Sequence, residues 1–347
     1  MPNMLNTFEN ISRTTSNDSL LPFPWPDGLD RGPVVPRPRG VLLILFLDAV
    51  GGPWDGNTPT TKPIGGSELA QIQLAEALAA RGHEVRVLNQ AHFTGTAPYQ
   101  VNGVIYGGGI DAREVRTVVL ARMTALPPQI DMKRTKVIVS LTDQGPHDIA
   151  DCHLIVGVSQ WQVNRFATVQ PGTPVKVIPP IVEAATKQDK VSGSYVYAGA
   201  AMKGLDDTLN GWSEAGKPGI LFVATGGWGE PSEEQKERIY NLGGQYCGNL
   251  NPSELRNLIS DCQYLLGAKT YPETFCAVAA IAETCGTVPI LYSPHGRTGL
   301  DEAIVTPVFY SRDEWIENIR KPHNIPVPRT HKLFTGDRIA RLWEKVL

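Results

Sequence analysis

From Val41 onward the chain alternates short apolar runs with amphipathic stretches. VLLILFLD (41–48) is apolar on both of its alternating faces, which predicts a buried parallel strand. A Gly/Pro/Thr loop runs from Ala49 to Gly66, and SELAQIQLAEALAARGHEVRVL follows. There Leu69, Ile72, Ala75 and Leu78 recur at helical spacing, Ser67 reads as the N-cap and Gly82 as the stop, and VRVL is the next strand. This is a strand–loop–helix–strand unit of the parallel kind. VRTVVLAR, KVIVSLTD and HLIVGVS continue the rhythm. Pro179–Pro180 in TPVKVIPPIVE ends the half, and EAATKQDKVSGS is a polar linker. The alternation then restarts. SYVYAG, GILFVATGG, GQYCGNL, YLLGAK and VPILYS read as strands, with LDDTLNGWSEAG, EEQKERIYNLG, PSELRNLISDC and FCAVAAIAETCG as the helices between them. FTGDRIARLWEKVL reads as a last helix with Ile339, Leu342, Trp343 and Val346 on one side.

Two consecutive open α/β halves predict two Rossmann-like domains whose parallel sheets face each other across a cleft. Ligands would bind at the carboxyl ends of the strands. The expected division is a disordered tail over 1–39, a first domain over 40–180, a second over 190–332, and a closing helix over 333–347 that packs back on the first domain. The tail reading rests on LLPFPWPDGLDRGPVVPRPRG, which is proline-rich and without periodicity. The 41% hydrophobic content of 347 residues is ample for two cores, and the net charge of −3 does not mark a general binder of nucleic acid or anionic membranes. Five widely spaced cysteines with no Cys-x-x-Cys pair read as reduced thiols and argue against structural zinc. The polar start and the brevity of the longest apolar run, Val41 to Leu47, predict a cytoplasmic chain with no transmembrane segment.

Three segments carry candidate chemistry. Ile64-Gly65-Gly66-Ser67-Glu68-Leu69 sets two glycines before a helix, where free N–H groups and the positive dipole end attract phosphate. Taken alone it is equally a flexible turn with an ordinary serine cap. In Met202-Lys203-Gly204-Leu205-Asp206, Lys203 beside a helix start can neutralise a leaving diphosphate. A lone lysine there otherwise reads as solvated surface. In Tyr271-Pro272-Glu273-Thr274-Phe275-Cys276-Ala277, Glu273 can hold sugar hydroxyls or serve as a helix-start acid.

Together these segments resemble the retaining GT-B glycosyltransferases of family four, from Val41 to Leu347. The resemblance is carried by IGGSELAQIQLAEALAARGHEV, GVSQWQ with VKVIPPIVE, AMKGLDDTL, GNLNPSELRNLISDCQYLL, and PETFCAVAAIAETCGTVPIL. It implies hexosyl transfer from a nucleotide-diphosphate sugar, without metal or other cofactor, to an acceptor that could be a glycan, a lipid-linked sugar, a small molecule, a protein or modified DNA. It implies that Gly65 and Gly66 approach the donor diphosphate or sugar, Lys203 pairs with the diphosphate, and Glu273 binds sugar hydroxyls. The backbone of Thr274, Phe275, Cys276 and Ala277 would lie along the donor, with Gly248, Asn249 and Leu250 at the base. Asp143 and His147 are the nearest acceptor-side candidates.

The chain departs from that family. A second glutamate, eight positions after the first, would bind the ribose, but Ile281 stands there. Glu283 lies two residues on, about 200° around a helix, so Glu283→Gln is expected to be nearly silent in donor turnover. Gly199-Ala200-Ala201 replaces a stretch that often holds an arginine, which leaves Lys203 more alone. Lys203 and Glu273 are expected to be at least partly exposed. His83 reads as part of a helix C-terminus, His153 as structural and His295 as a turn residue. The alternative functions are a non-catalytic nucleotide-sugar-binding relative and a GT-B nucleotide-sugar epimerase.

Overall fold

The computed structural model describes residues 41–48, 53–89, 97–108, 110–123, 126–142, 151–166, 172–185, 188–227, 229–325 and 334–347. The expected tail over 1–39 lies outside them. Among the described residues no helix is long and apolar enough to cross a membrane.

The first half contains β1 (Leu43–Asp48), α1 (Thr58–Thr61), α2 (Gly66–Ala80), β2 (Glu84–Asn89), β3 (Tyr99–Val101), β4 (Val104–Tyr106), β5 (Thr117–Ala121), β6 (Lys136–Ser140), β7 (Leu154–Gly157), α3 (Gln160–Phe166) and β8 (Val175–Val177). Its strands form one sheet in the order β3-β4-β2-β1-β5-β6-β7-β8. All neighbours are parallel except β3 and β4, a hairpin turned by Asn102 and Gly103, both at positive φ. An Asn-Gly pair suits that turn because both central residues must enter the left-handed region. The second half contains β9 (Val191–Ala198), α4 (Leu205–Glu214), β10 (Ile220–Thr225), α5 (Glu233–Asn241), β11 (Gln245–Asn249), α6 (Pro252–Asp261), β12 (Cys262–Ala268), α7 (Ala277–Cys285), β13 (Val288–Tyr292), α8 (Gly299–Ala303) and α9 (Arg312–Arg320), with α10 (Gly336–Glu344) last. Its five strands form a separate parallel sheet, β11-β10-β9-β12-β13.

Both faces of β1 are buried, as its continuous apolar run demands. Leu43, Leu45 and Leu47 pack with Val118, Leu120, Val137 and Val139 on one side. Ile44 and Phe46 join Ile72, Ala75 and Leu78 of α2 on the other. That second cluster continues through Ile178, Ile181 and Val182 to Ile339 and Trp343 of α10, and on to α7. On the far face of the second sheet, Trp212 of α4 and Trp315 of α9 fill the core. Gly211 makes room, since a Cβ there would lie 2.3 Å from the Trp315 ring.

Helix α10 packs on α2. Arg81 forks onto Glu344 at 2.7 and 2.8 Å and also reaches Asp337 at 2.7 Å. His83 joins this clasp: Nδ1 accepts from Leu42 N–H at 3.4 Å, and Nε2 lies 3.2 Å from Glu344. Its side chain therefore does more than end a helix. The hydrogen bond from Arg81 holds the Glu344 carboxyl below its ordinary range.

Candidate functional site

In an open parallel sheet the crevice opens where strands on either side of one strand run off in opposite directions. In the first sheet this happens between β1 and β5, in the second between β9 and β12. The carboxyl ends at these places are Asp48, Ala121–Arg122, Ala198–Gly199 and Ala268–Lys269. A cavity of about 540 Å³ lies among the residues that follow them, lined from the first half by 64–69 and Arg122 and from the second by 198–200, Lys203, Lys269, Glu273 and 275–278. A chamber of about 170 Å³ shares Gly66, Lys203 and Glu273 with it and extends to Thr142, Val158 and Pro180.

On the first-half side, α2 starts at Gly66, with Gly65 as the N-cap and no side-chain cap. The expected Ser67 cap is therefore corrected. Ser67 lies one residue inside the helix, and its hydroxyl donates to the Thr142 carbonyl at 3.3 Å. The same openness recurs at α4 and α7, capped by Gly204 and Cys276 without a side-chain bond. Helices α5, α6, α8 and α9 do have side-chain caps, while α10 has none. An uncapped N-terminus leaves N–H donors for a ligand.

Beneath the Gly65-Gly66 turn sits a buried ionic knot. Arg122 pairs with Asp48 and with Glu68, and Gln71 donates to Asp48 at 2.9 Å. Burial alone would disfavour the cation, but the two carboxylates outweigh it and raise the Arg122 pKa above its ordinary value. Arg122 holds φ at 52°, a conformation that costs free energy and persists only where its surroundings fix it. The knot ties the start of α2 to the ends of β1 and β5. The sequence does not single out Arg122, because its partners lie 74 and 54 residues away.

On the second-half side, a 3-10 turn over Ala201–Lys203 leads into Gly204 at φ 108°. A Cβ at 204 would lie 1.9 Å from the Ala268 carbonyl oxygen, so only glycine lets Lys203 come so close to the end of β12. Lys203 Nζ lies 3.3 Å from Glu273 Oε2 and 4.9 Å from the Tyr271 ring centroid. Burial works against the ammonium, but Glu273, together with the nearby Cys276 and Tyr271, offsets it, so the Lys203 pKa is raised. Glu273 is only 7% exposed, and the expectation that it is partly exposed is corrected. It precedes α7 by a turn of loop and is not in the first helical turn. Its main-chain carbonyl accepts from Gly299 N–H at 2.9 Å, which anchors the loop.

The other predicted residues divide. Gly65, Gly66, Leu250, Phe275, Cys276 and Ala277 line the larger cavity, and Thr274 lines the smaller chamber. Gly248 and Asn249 do not line it. Gly248, at φ 97°, ends a bulge in β11, and Asn249 Nδ2 donates to the Gly227 carbonyl at 3.2 Å. Asp143 and His147 lie outside the described residues. His153 Nδ1 accepts from Val137 N–H, and His295 Nε2 meets the Thr270 carbonyl.

Ile281 lines both spaces, and Glu283 turns away from them. Glu283 is buried and accepts from Val305 N–H, Thr306 N–H and the Thr306 hydroxyl at 2.6–3.0 Å. These contacts give Glu283 a part in holding the 305–306 segment, a matter of folding apart from the expected near-silence in turnover. Lys203 is also less alone than the sequence suggested, because Lys269, Arg256 and Arg122 line the same cavity. The sequence marks Lys269 only as the end of a strand.

The halves meet closely. A Cβ at Gly227 would lie 2.6 Å from Gly65 N and 2.7 Å from the Ile64 carbonyl carbon. Glu302 of α8 caps α3 across the divide, accepting from the N–H groups of Gln160 and Trp161 at 2.6 and 2.8 Å. Among the described residues no three His, Cys, Asp or Glu side chains gather as a metal-ligand set.

No family model matches the chain, and no curated protein matches it by sequence. Solved structures do share its fold. Sucrose-phosphate synthase from Thermosynechococcus elongatus superposes with a TM-score of 0.59 at 13% identity, over 88% of this chain and 98% of that one. AviGT4, a glycosyltransferase involved in avilamycin A biosynthesis, gives 0.59 at 17% identity, over 88% and 96%. HepE of Anabaena, in complex with UDP-glucose, gives 0.56 at 14% identity, over 88% and 99%. The architecture is the α/β, two-domain GT-B type.

Proposed function

We propose that this chain is a glycosyltransferase that moves a hexose from a nucleotide-diphosphate sugar to an acceptor, with retention and without a metal. The observation that carries this reading is the cavity at the facing switch points. It joins an uncapped helix N-terminus behind two glycines to a lysine–glutamate pair on the opposite wall.

Breaking the bond from the sugar's anomeric carbon to the donor oxygen leaves negative charge on a diphosphate. Lys203 and the helix N–H groups are preorganised to receive that charge. Glu273 accepts hydrogen bonds from hydroxyls of the transferred sugar, and its pairing with Lys203 holds both groups in place. Preorganised cations fill the role that a metal plays elsewhere, which is the ground for the metal-free reading. Retention and membership of family four rest on the sequence resemblance. HepE, with UDP-glucose in its structure, makes a UDP-sugar the first donor to try.

The test is a panel of UDP-, GDP-, ADP- and dTDP-sugars, following release of nucleoside diphosphate in excess EDTA. One donor should be hydrolysed slowly without an acceptor and faster with the right one. Turnover that is lost in EDTA and restored by magnesium or manganese would overturn the metal-free reading. Binding of a donor with no turnover under any acceptor would identify a binding relative, and interconversion of two nucleotide sugars would identify an epimerase.

A further inference from the structure

We propose that Lys269 is a second cation for the donor diphosphate, an inference that rests on the nucleotide-sugar reading above. Lys269 directly follows β12, on one side of the switch point of the second sheet. Its backbone N–H donates to the Tyr292 carbonyl at 2.7 Å, which fixes the main chain. The residue is 3% exposed and lines the cavity between the halves. The turn that presents Lys203 rests on the carbonyl of Ala268, the residue next to it.

What sets Lys269 apart is its lack of a partner. Among the described residues no carboxylate lies within ion-pair distance of its ammonium and no acceptor takes a hydrogen bond from it. The Tyr197 ring, 5.8 Å away by its centroid, is at the outer limit of cation–π contact. Among the described residues every other lysine or arginine lining that cavity has an anionic partner: Lys203 has Glu273, Arg256 has Glu183, and Arg122 has Asp48 and Glu68. A buried ammonium without a counter-charge is costly. The cost is offset when an anion enters the cavity, and on the nucleotide-sugar reading that anion is the diphosphate, whose two adjoining anionic groups can meet Lys203 and Lys269 together. Lys269 thus supplies charge from β12 where the stretch after β9, Gly199-Ala200-Ala201, supplies none.

The experiment measures affinities of the full chain, by calorimetry, for UDP, GDP, ADP and dTDP and for the matching nucleosides. Lys269→Met keeps an unbranched side chain about one atom shorter and removes a buried charge, so its melting temperature without ligand should equal or exceed wild type. The variant should bind the preferred diphosphate about 10- to 100-fold more weakly, the loss of one charge-assisted contact. Its affinity for the nucleoside should not change. Lys269→Gln serves the same comparison should the methionine variant not fold. Unchanged diphosphate affinity overturns the role of Lys269 and leaves the nucleotide-sugar reading standing. An equal loss for diphosphate and nucleoside also overturns it, since the lysine would then merely shape the cavity. Failure of the wild-type chain to bind any of the four diphosphates overturns the nucleotide-sugar reading, and this inference with it.

Discussion

Replacing Glu273 with glutamine keeps the outline of the side chain and removes its charge. At 3.3 Å from Lys203, an effective dielectric of about 20 gives a gross attraction of about 5 kcal/mol. The net contribution to folding is much smaller. The Lys203 side chain is 36% exposed and regains water when its partner is lost, so Glu273→Gln should cost about 1–2 kcal/mol of stability. Catalysis should suffer more. A carboxylate that accepts from sugar hydroxyls in a water-poor cavity contributes about 2–4 kcal/mol to the transition state, roughly 30- to 1,000-fold in rate. The assay is initial-rate release of nucleoside diphosphate from the preferred donor, with kcat and KM resolved and the melting temperature measured alongside. Lys203→Ala and the double variant complete a cycle. If Glu273 touches the sugar, the double variant is slower than Lys203→Ala. If Glu273 only positions the lysine, the two are equal. A glutamine variant that works at the wild-type rate would refute the assignment of Glu273 altogether.

Two further outcomes follow from contacts outside the cavity. Glu283→Gln turns an amide toward the Val305 and Thr306 N–H groups, and should lower stability by about 2–4 kcal/mol in urea melts while leaving the donor KM near wild type at low temperature; a neutral effect on stability would show that these bonds do not hold the 305–306 segment. Glu344 has a folded pKa below its unfolded value, so the stability it adds is present above about pH 4.3 and is lost as pH falls through the folded pKa. The melting temperatures of wild type and Glu344→Gln should therefore differ at pH 7 and converge in acid, and a gap that stays constant down to pH 2 would contradict the Arg81 clasp.

Much of the scaffold could be read from residue order, because strand and helix periodicities are local. The run at 41–48, the glycines before α2 and the loop before α7 all announced themselves. The ionic chemistry was harder to read, since Lys203 and Glu273 are 70 residues apart. Nothing in YLLGAK shows that its lysine turns inward to a cavity. The Asn102-Gly103 turn is a local signal, but the three-residue strands beside it are too short to show alternation. Helix α9 is hard to read for another reason. Its apolar face rests on Trp315, Ile316 and Ile319, amid five charged residues in nine, and a helix so polar overall looks like surface loop until the Trp212 core is seen.

Gly227 and Gly65 touch main chain to main chain across the two halves. Neither brings a functional group to that contact, yet together they work as a gauge block. At that point the gap in which the lysine, the glutamate and the open helix ends must line up is no wider than bare backbone. A single methyl at 227 would call for roughly an ångström more room than the 2.6 Å present. Misplacement of about that size can cost about 100-fold in rate. Alignment across the gap is therefore an assembly tolerance, held by a residue whose whole contribution is to have no side chain.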